Sequence, residues 1–205
     1  MPDFSYEDAA LASGFGLICG VDEAGRGPWA GPVVAGAVIL DRAIMPPSLV
    51  GGLDDSKKLK PARRRALLKD LQDVAVIGIG VADVAEIDEI NILQATMLAM
   101  TRAVGDLSAK PDVALIDGNK APNLTCSTEC VVKGDGKSLS IAAASIVAKV
   151  TRDNIMARLA ETFPGYGWER NAGYGTREHQ GALASLGVTT EHRKSFAPIR
   201  KILGL

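Results

Sequence analysis

Runs of apolar residues, separated by glycine, proline and acidic positions, predict five short strands. They cover residues 17–21, 33–40, 74–81, 113–116 and 128–133. Apolar runs of about four to eight residues between turn-forming residues are typical of buried strands. The connection between the first two runs, residues 25–32, is too short for a parallel crossover, so we expect these two strands to pair antiparallel.

Four longer segments carry the end signals of helices. They cover residues 61–73, 91–107, 137–162 and 176–186. Pro61 suits a first helical turn and Gly187 a helix stop, while Asn91 and Thr176 are predicted N-caps. The second helix is predicted to pack in the core through a stripe of Leu93, Met97, Met100 and Val104. Because strands come first and are then mixed with helices, the order predicts an α/β domain with a mixed sheet.

Length and composition indicate one folded domain over residues 1–205. Hydrophobic residues make up 47% and charged residues 23%, which argues against disorder. Because the formal net charge is −1, a polyanionic partner must be held by a local basic patch. Three cysteines provide no disulfide framework and fit a reducing cytoplasm. No apolar run approaches the roughly 20 residues that span a bilayer, so we expect a cytoplasmic protein without a membrane segment.

Three of the predicted strands are followed by acidic residues. Asp22 and Glu23 follow the first strand, Asp117 the fourth and Asp135 the fifth. Ligands of α/β sheets gather at the carboxyl ends of strands, so these carboxylates converge if the strands are neighbours of compatible direction. Carboxylate oxygens are the ligands that Mg²⁺ and Mn²⁺ prefer, and two such ions can promote phosphodiester hydrolysis. The alternative for each acid alone is a solvated turn residue or, for Asp135, an N-cap.

Adjacent residues of a strand face opposite sides of its sheet, which sets a condition on this site. Asp22 and Glu23 can share it only if the strand ends or twists there. The loop that follows permits such a bend, because it places glycines on both sides of an arginine, in Gly25, Arg26 and Gly27. Glycine lets backbone amides approach a ligand closely, and arginine favours an anionic ligand. An ordinary acidic turn after a strand is the alternative.

Seven blocks follow one another along the chain. They are GVDEAGRGP (20–28), LDDSKKL (53–59), IDGN (116–119), VKGD (132–135), SIAAASIVAKVTRD (140–153), GYGT with the following Glu-His pair (173–179) and HRKSF (192–196). Together they resemble the signature of type 2 ribonuclease H, specifically bacterial ribonuclease HII. The match covers nearly the whole chain in the family's order, which makes it very specific.

The resemblance implies a ribonuclease H-like fold: a mixed five-stranded sheet flanked by helices, with a helical C-terminal extension over about residues 160–205. It implies an endoribonuclease that cleaves the RNA strand of RNA–DNA hybrids and nicks duplex DNA at embedded ribonucleotides, leaving a 3′-hydroxyl and a 5′-phosphate. It also implies Mg²⁺ or Mn²⁺ as cofactor, with two ions in the catalytic state. We expect a monomer. No segment near Leu205 resembles a sliding-clamp-binding tail, so that partner is not expected.

Carried over residue by residue, the resemblance implies roles for eight positions. The catalytic and metal-binding residues are Asp22, Glu23, Asp117 and Asp135. The substrate-binding residues are Gly25, Arg26 and Gly27, which sense the ribonucleotide 2′-hydroxyl, and Tyr174, which stacks on the neighbouring deoxyribose. The 2′-hydroxyl both donates and accepts hydrogen bonds, so closely approaching backbone groups suit its recognition. Without the resemblance, Tyr174 is a core tyrosine beside a glycine turn.

Basic residues near the second block form the strongest local positive patch. The patch comprises Lys57, Lys58, Arg63, Arg64 and Arg65, to which Lys149 and Arg152 can add. We expect Lys57, inside a matched block, to contact a phosphate, and the three successive arginines to lie on a solvated helix face. His179 and His192 lack the ligand spacing of a zinc site and are expected to be structural hydrogen-bonding residues or substrate neighbours.

Two other functions are compatible with the same residues. One is a hybrid-binding module without turnover, although the presence of all four acids argues against it. The other is a metal-dependent phosphatase acting on small phosphate esters. Arg26 between two glycines suits a polymer backbone better than a small ester.

Overall fold

A computed structural model describes residues 1–205 and contains one five-stranded sheet. The strands are β1 (Ile18–Ala24), β2 (Val33–Leu40), β3 (Ala75–Ala82), β4 (Val113–Asp117) and β5 (Ser127–Val131), in the spatial order β3-β2-β1-β4-β5. Strand β2 pairs antiparallel with both β1 and β3, whereas β1, β4 and β5 run parallel. All five predicted strands are present, and the antiparallel first pair is confirmed.

Eight α-helices surround the sheet. They are α1 (Ser5–Ala12), α2 (Pro47–Val50), α3 (Pro61–Gln72), α4 (Val84–Gly105), α5 (Leu139–Thr162), α6 (Trp168–Asn171), α7 (Arg177–Leu186) and α8 (Ala197–Leu203). One core cluster joins α4 to the sheet, and a second joins α3 and α5 to it. Helices α6 to α8 form the helical C-terminal extension, whereas α1, α2, α6 and α8 were not predicted. No helix combines the length and the apolar character that crossing a membrane demands.

Two glycines let the central helices lie directly on the sheet. A Cβ atom at Gly20 in β1 would lie 2.1 Å from the backbone carbonyl carbon of Ser140 in α5. A Cβ atom at Gly80 in β3 would lie 1.9 Å from the carbonyl oxygen of Ala99 in α4. Backbone therefore packs on backbone at both places, because no side chain fits between them. The contact at Gly20 sets the first turns of α5 beside the carboxyl end of β1.

Helix α4 begins at Val84 rather than at the predicted Asn91. Asp83 forms a capping box: its side chain accepts from the amide of Glu86, whose side chain accepts from the amide of Asp83. Asn91 has φ 67° and ψ 163°, and its Oδ1 accepts a hydrogen bond from the amide of Leu93. The predicted cap is therefore present, but it starts the second part of a kinked helix.

The predicted core stripe of α4 is only partly correct. Met100 is fully buried, whereas the other three predicted residues, Leu93, Met97 and Val104, are partly buried at the border of the core. The sheet-facing side is formed mainly by the small residues Ala95, Ala99 and Ala103. Small side chains are required there because α4 lies so close to the glycines of β3.

Candidate active site

Asp22 and Asp117 lie side by side at the carboxyl ends of two parallel strands. Val21 of β1 pairs with Ile116 of β4, so the aspartates that follow them are next in register. Neighbouring strands are about 4.8 Å apart, and parallel residues in register share a face of the sheet. Asp22 is 3% exposed, and its Oδ1 accepts a hydrogen bond from the amide of Glu23 at 2.7 Å.

Glu23 extends from the other face of β1. The strand continues past both acids instead of ending before them, so Asp22 and Glu23 alternate as strand residues do. Asp22 faces Ser145 of α5, whereas Glu23 pairs with Arg26 at 3.3 Å between Oε1 and Nη1. Both nevertheless line one cavity of about 400 Å³, together with Asp117. β1 ends at Ala24, one residue beyond Glu23, so both acids lie at the end of the strand, where their side chains line the same cavity.

Asp135 approaches the same acids from a 3₁₀ turn, Gly134–Gly136, between β5 and α5. The amide of Gly134 donates to Asp117 Oδ1 at 2.6 Å, which ties this turn to the end of β4. Asp135 and Asp117 line a second cavity of about 570 Å³. The alternative that Asp135 caps the following helix is wrong, because the hydroxyl of Ser138 caps α5.

Burial raises the pKa of three of the four carboxyl groups. The pKa of Asp22 lies well above its usual range of about 3.8, first because of burial and then because of the charges of Glu23 and Asp117. Burial also raises the pKa of Glu23 against the opposing effect of a nearby arginine. Burial raises the pKa of Asp135 despite a nearby lysine. Repulsion between the neighbouring carboxylates adds to the effect of burial at Asp22, and a cation bound between them would relieve that repulsion.

Arg26 and Lys57 occupy positions among these acids. Lys57 Nζ lies 3.3 Å from Asp135 Oδ2, and Arg26 pairs with Glu23. In these conformations no three histidine, cysteine, aspartate or glutamate side chains form a group that could hold one metal ion. The donor chemistry fits a hard divalent cation, because the acids offer only oxygen ligands to two adjoining cavities that share Asp117. Each of the two paired acids keeps a second carboxylate oxygen, Oε2 of Glu23 and Oδ1 of Asp135, that makes no ion pair.

Two buried arginines hold the Gly25–Gly27 loop from behind. Arg193 donates from Nη2 to the carbonyl of Gly25 at 2.6 Å and from Nη1 to the carbonyl of Arg26 at 3.0 Å. Gly25 has φ +100°, and a Cβ atom there would lie 2.0 Å from Nε of Arg152. Glycine is therefore required at Gly25 by both conformation and space. The loop is fixed at the rim of the acid-lined cavity.

Tyr174 lies beside this loop and lines the same cavity. Its Cε1 atom is 3.6 Å from the position that a Cβ atom would take at Gly27. Tyr174 is 47% exposed, so the alternative of a core tyrosine is wrong. Its aromatic ring is available to a ligand at the cavity mouth.

The predicted basic patch is smaller than its sequence suggests. The Lys57 side chain is 75% exposed and borders both acidic cavities. Arg64 is buried, contrary to the prediction of a solvated face, and donates to the carbonyls of Ser56 and Leu59. Arg152 is also buried and donates to three backbone carbonyls. Arg64 and Arg152 therefore stabilise loops around the site instead of adding surface charge.

The sequence predicted no role for Arg193, and it predicted that Arg152 adds to a surface patch. Helical spacing carried a signal for Arg152, which follows Ser145 by two turns and so lies on the same face of α5. The expectation that His179 and His192 are structural hydrogen-bonding residues agrees with their complete burial and with the 3.0 Å between their Nε2 atoms.

We expect an Asp22→Asn variant to be more stable than the parent at neutral pH when divalent ions are removed. Folding raises the pKa of Asp22, so the native state binds more protons than the unfolded state, and stability falls as pH rises from the ordinary aspartate pKa through the raised value. Asparagine has no charge to bury, and the gain should be about 1–3 kcal/mol near neutral pH. Urea unfolding at about pH 4 and pH 7 with chelator measures it. Identical pH dependence in parent and variant would contradict the prediction.

Comparisons with known proteins find relatives over nearly the whole chain. The model of the family described as Ribonuclease HII matches residues 19–199. Ribonuclease HII of Parvibaculum lavamentivorans is 60% identical over 206 residues, which cover 99% of this chain and 74% of the relative. The crystal structure of ribonuclease H2 from Pyrococcus horikoshii OT3 is 28% identical with a TM-score of 0.75, covering 91% of this chain and 97% of that one.

A more distant solved structure supports the fold alone. Bst-RNase HIII in complex with Mn²⁺ is 18% identical with a TM-score of 0.76, covering 98% of this chain and 81% of that one. Together with the archaeal structure, it confirms the mixed five-stranded sheet flanked by helices as the fold of this chain.

Proposed function

This chain belongs to the ribonuclease HII family and is a ribonuclease H, and on that premise we propose that it cleaves the RNA strand of RNA–DNA hybrids and nicks duplex DNA at embedded ribonucleotides. One observation carries the proposal. A single cavity is lined by Asp22, Glu23 and Asp117, by the Gly25–Gly27 loop and by Tyr174. Acids suited to phosphodiester hydrolysis thus lie beside groups suited to sensing a sugar.

The four acids Asp22, Glu23, Asp117 and Asp135 are the proposed catalytic and metal-binding residues. Two Mg²⁺ or Mn²⁺ ions held by them would supply an activated water and stabilise the leaving 3′-oxygen, giving a 3′-hydroxyl and a 5′-phosphate. The mutual repulsion of the clustered carboxylates and the Mn²⁺ complex of Bst-RNase HIII support this assignment. The amides of Glu23 and Gly134 orient the carboxylates of Asp22 and Asp117 in the folded chain.

The Gly25–Gly27 loop is the proposed sensor of the ribose 2′-hydroxyl. Arg193 holds two of its carbonyls, so the loop presents a fixed surface. A rigid polar surface favours a sugar that completes its hydrogen bonds and disfavours one that lacks the hydroxyl. Tyr174, beside this loop at the cavity mouth, is proposed to stack on the next deoxyribose, where an added hydroxyl would clash with the ring.

Lys57 is the proposed phosphate contact, and we expect a Lys57→Gln variant to bind a hybrid more weakly. Loss of one phosphate contact should reduce the slope of log affinity against log salt by about 1. Fluorescence anisotropy with a labelled hybrid and chelator measures binding without turnover. Lys69→Gln changes an exposed lysine in the last turn of α3 and serves as the matched control. A parental salt slope in Lys57→Gln would remove this assignment.

The whole proposal is tested with three duplexes: an RNA–DNA hybrid, a DNA duplex with one ribonucleotide, and an all-DNA duplex. Each is incubated with Mg²⁺, with Mn²⁺ and with chelator. We expect cleavage of the first two only, and only with a divalent ion. Salt-sensitive binding without cleavage would favour a binding module. Phosphate release from a mononucleotide without any nicking would favour a small-ester phosphatase.

A further inference from the structure

Two buried histidines in the C-terminal extension form a hydrogen-bonded pair. His192 Nδ1 accepts a hydrogen bond from the amide of Thr189 at 2.9 Å, and an amide nitrogen can only donate. Burial lowers the pKa of His192 to about 4, so the ring is neutral at physiological pH. Its single proton therefore lies on Nε2, which donates to His179 Nε2 at 3.0 Å.

The partner ring, His179, is fixed from both sides. Its Nε2 accepts from His192 and also from Trp168 Nε1 at 3.2 Å. Burial lowers the pKa of His179 as well. The indole Nε1–H of Trp168 can only donate, so His179 Nε2 carries no proton and the proton of this ring lies on Nδ1. That proton is donated to the backbone carbonyl of Tyr174 at 3.0 Å, and a carbonyl can only accept. The pair therefore holds His179 in a single tautomer, whose Nδ1–H donates to the carbonyl of Tyr174.

Tyr174 depends on such backbone contacts for its position. Its side chain is about half exposed and makes no hydrogen bond. The two residues before it, Ala172 and Gly173, have φ values of 48° and 81°, so the chain reaches Tyr174 through a left-handed segment that is costly for alanine. The carbonyls of Ala172 and Gly173 accept from Arg152 and from the amide of Trp29. The carbonyl of Tyr174 accepts from the amide of Thr176 at 2.8 Å and from His179, so His179 supplies the side-chain donor at the residue that bears the ring.

The segment that contains His192 also contacts the Gly25–Gly27 loop, through Arg193. His192 and Arg193 are adjacent, and the backbone of His192 forms a bridge with Ala30. Arg193 holds the carbonyls of the Gly25–Gly27 loop, while His192 acts on Tyr174 through His179. One dipeptide is thus connected both to the Gly25–Gly27 loop and, through His179, to Tyr174.

We propose that His179, kept in one tautomer by His192, is a positioning residue that fixes Tyr174 relative to the Gly25–Gly27 loop and so contributes to selection of the RNA–DNA junction. This inference rests on the proposed function, because Tyr174 acts on substrate only within it. Discrimination of one hydroxyl group requires walls that are fixed to about 0.5 Å, which a half-exposed tyrosine does not achieve alone.

Two variants of His179 distinguish a role in positioning Tyr174 from a general role in stabilising the fold. His179→Gln places an amide near the Nε2 position and loses the donor to Tyr174. His179→Asn keeps a donor at the Nδ1 position and leaves the Nε2–H of His192 and the Nε1–H of Trp168 without an acceptor. The measured quantity is the ratio of kcat/KM on duplex DNA with one ribonucleotide to kcat/KM on a uniform RNA–DNA hybrid, with thermal midpoints recorded for each variant.

The ratio should fall about tenfold in His179→Gln and less than about threefold in His179→Asn, even though His179→Asn is the less stable variant. An unchanged ratio in His179→Gln, or losses that follow the thermal midpoints, would overturn the inference. His192→Phe, which removes the donor to His179 while keeping a ring, should lower the same ratio. It decides the question if His179→Gln does not fold.

A double-mutant cycle with Tyr174→Ala completes the test. If His179 acts through Tyr174, adding His179→Gln to Tyr174→Ala should lower the ratio no further. A further loss of the same size would overturn the inference. Failure of the parent to cleave either substrate would instead refute the proposed function, and this inference with it, so the two failures are distinguishable.

Discussion

An Asp117→Asn variant is expected to bind an RNA–DNA hybrid and to cleave it about 10³-fold more slowly than the parent, or worse, since several kcal/mol of transition-state stabilisation depend on the metal site. Asp117 lines both acidic cavities. Its charge therefore faces Asp22 and Glu23 in one cavity and Asp135 in the other. Asparagine keeps the shape and the oxygen that accepts from the amide of Gly134. The fold should therefore survive while the ligand charge is lost.

Single-turnover cleavage and hybrid binding, measured on the same preparation, check this expectation. Asp73→Asn is a matched control, because Asp73 is an exposed residue at the end of α3 whose side chain makes no hydrogen bond. Cleavage by Asp117→Asn at the parental rate would show that the proposed assignment of the four acids is wrong. Loss of binding together with cleavage would indicate that the substitution disturbs the fold instead.

An Arg193→Gln variant is expected to lose about 2–5 kcal/mol of unfolding free energy, because each buried acceptor left without a partner costs about 1–3 kcal/mol. Arg193 is fully buried and donates to the carbonyls of Gly25, Arg26, Gly31 and Pro32. Burial and the neighbouring Arg152 lower the pKa of Arg193 to about 9, so the charge itself is held at a cost. That cost is offset only while all the carbonyls are engaged.

Urea unfolding compares this variant with Arg200→Gln, in which the substituted arginine is exposed on α8. The control should change the free energy of unfolding by less than about 0.5 kcal/mol, as surface substitutions usually do. A loss below about 1 kcal/mol in Arg193→Gln would mean that water or other donors replace the guanidinium, and that the loop is not held as described.

The strands of the sheet could be predicted from the sequence, because most of them are short apolar runs followed by acidic residues. Those acids also revealed the site, since Asp22, Asp117 and Asp135 each follow an apolar run. The spatial order of the strands was not accessible from local patterns. The pairing of β1 with β4, which brings Asp117 beside Asp22, joins segments far apart in the chain. The resemblance supplied that information, not the periodicity.

The buried arginines could not be assigned from the sequence for a different reason. Burial of a guanidinium is unfavourable by itself, so arginine in a polar segment favours a surface prediction. Arg64, Arg152 and Arg193 are buried because backbone carbonyls of distant loops accept their hydrogen bonds. Every residue has a backbone carbonyl group, so the sequence does not indicate which carbonyls accept hydrogen bonds from a buried arginine. The kink at Asn91 was not predicted, because the capping box at Asp83 starts the helix before the residue that the sequence predicted as its N-cap.

The alternation of Asp22 and Glu23 across β1 means that each carboxylate rests on a different layer of the molecule. Asp22 faces Ser145 of α5, whereas Glu23 shares a small cavity with Met97 of α4. Substitutions in α5 are therefore expected to change the surroundings of Asp22, and substitutions in α4 those of Glu23. The two neighbouring acids of one strand can thus be reached from opposite layers of the molecule, although their charges act on each other.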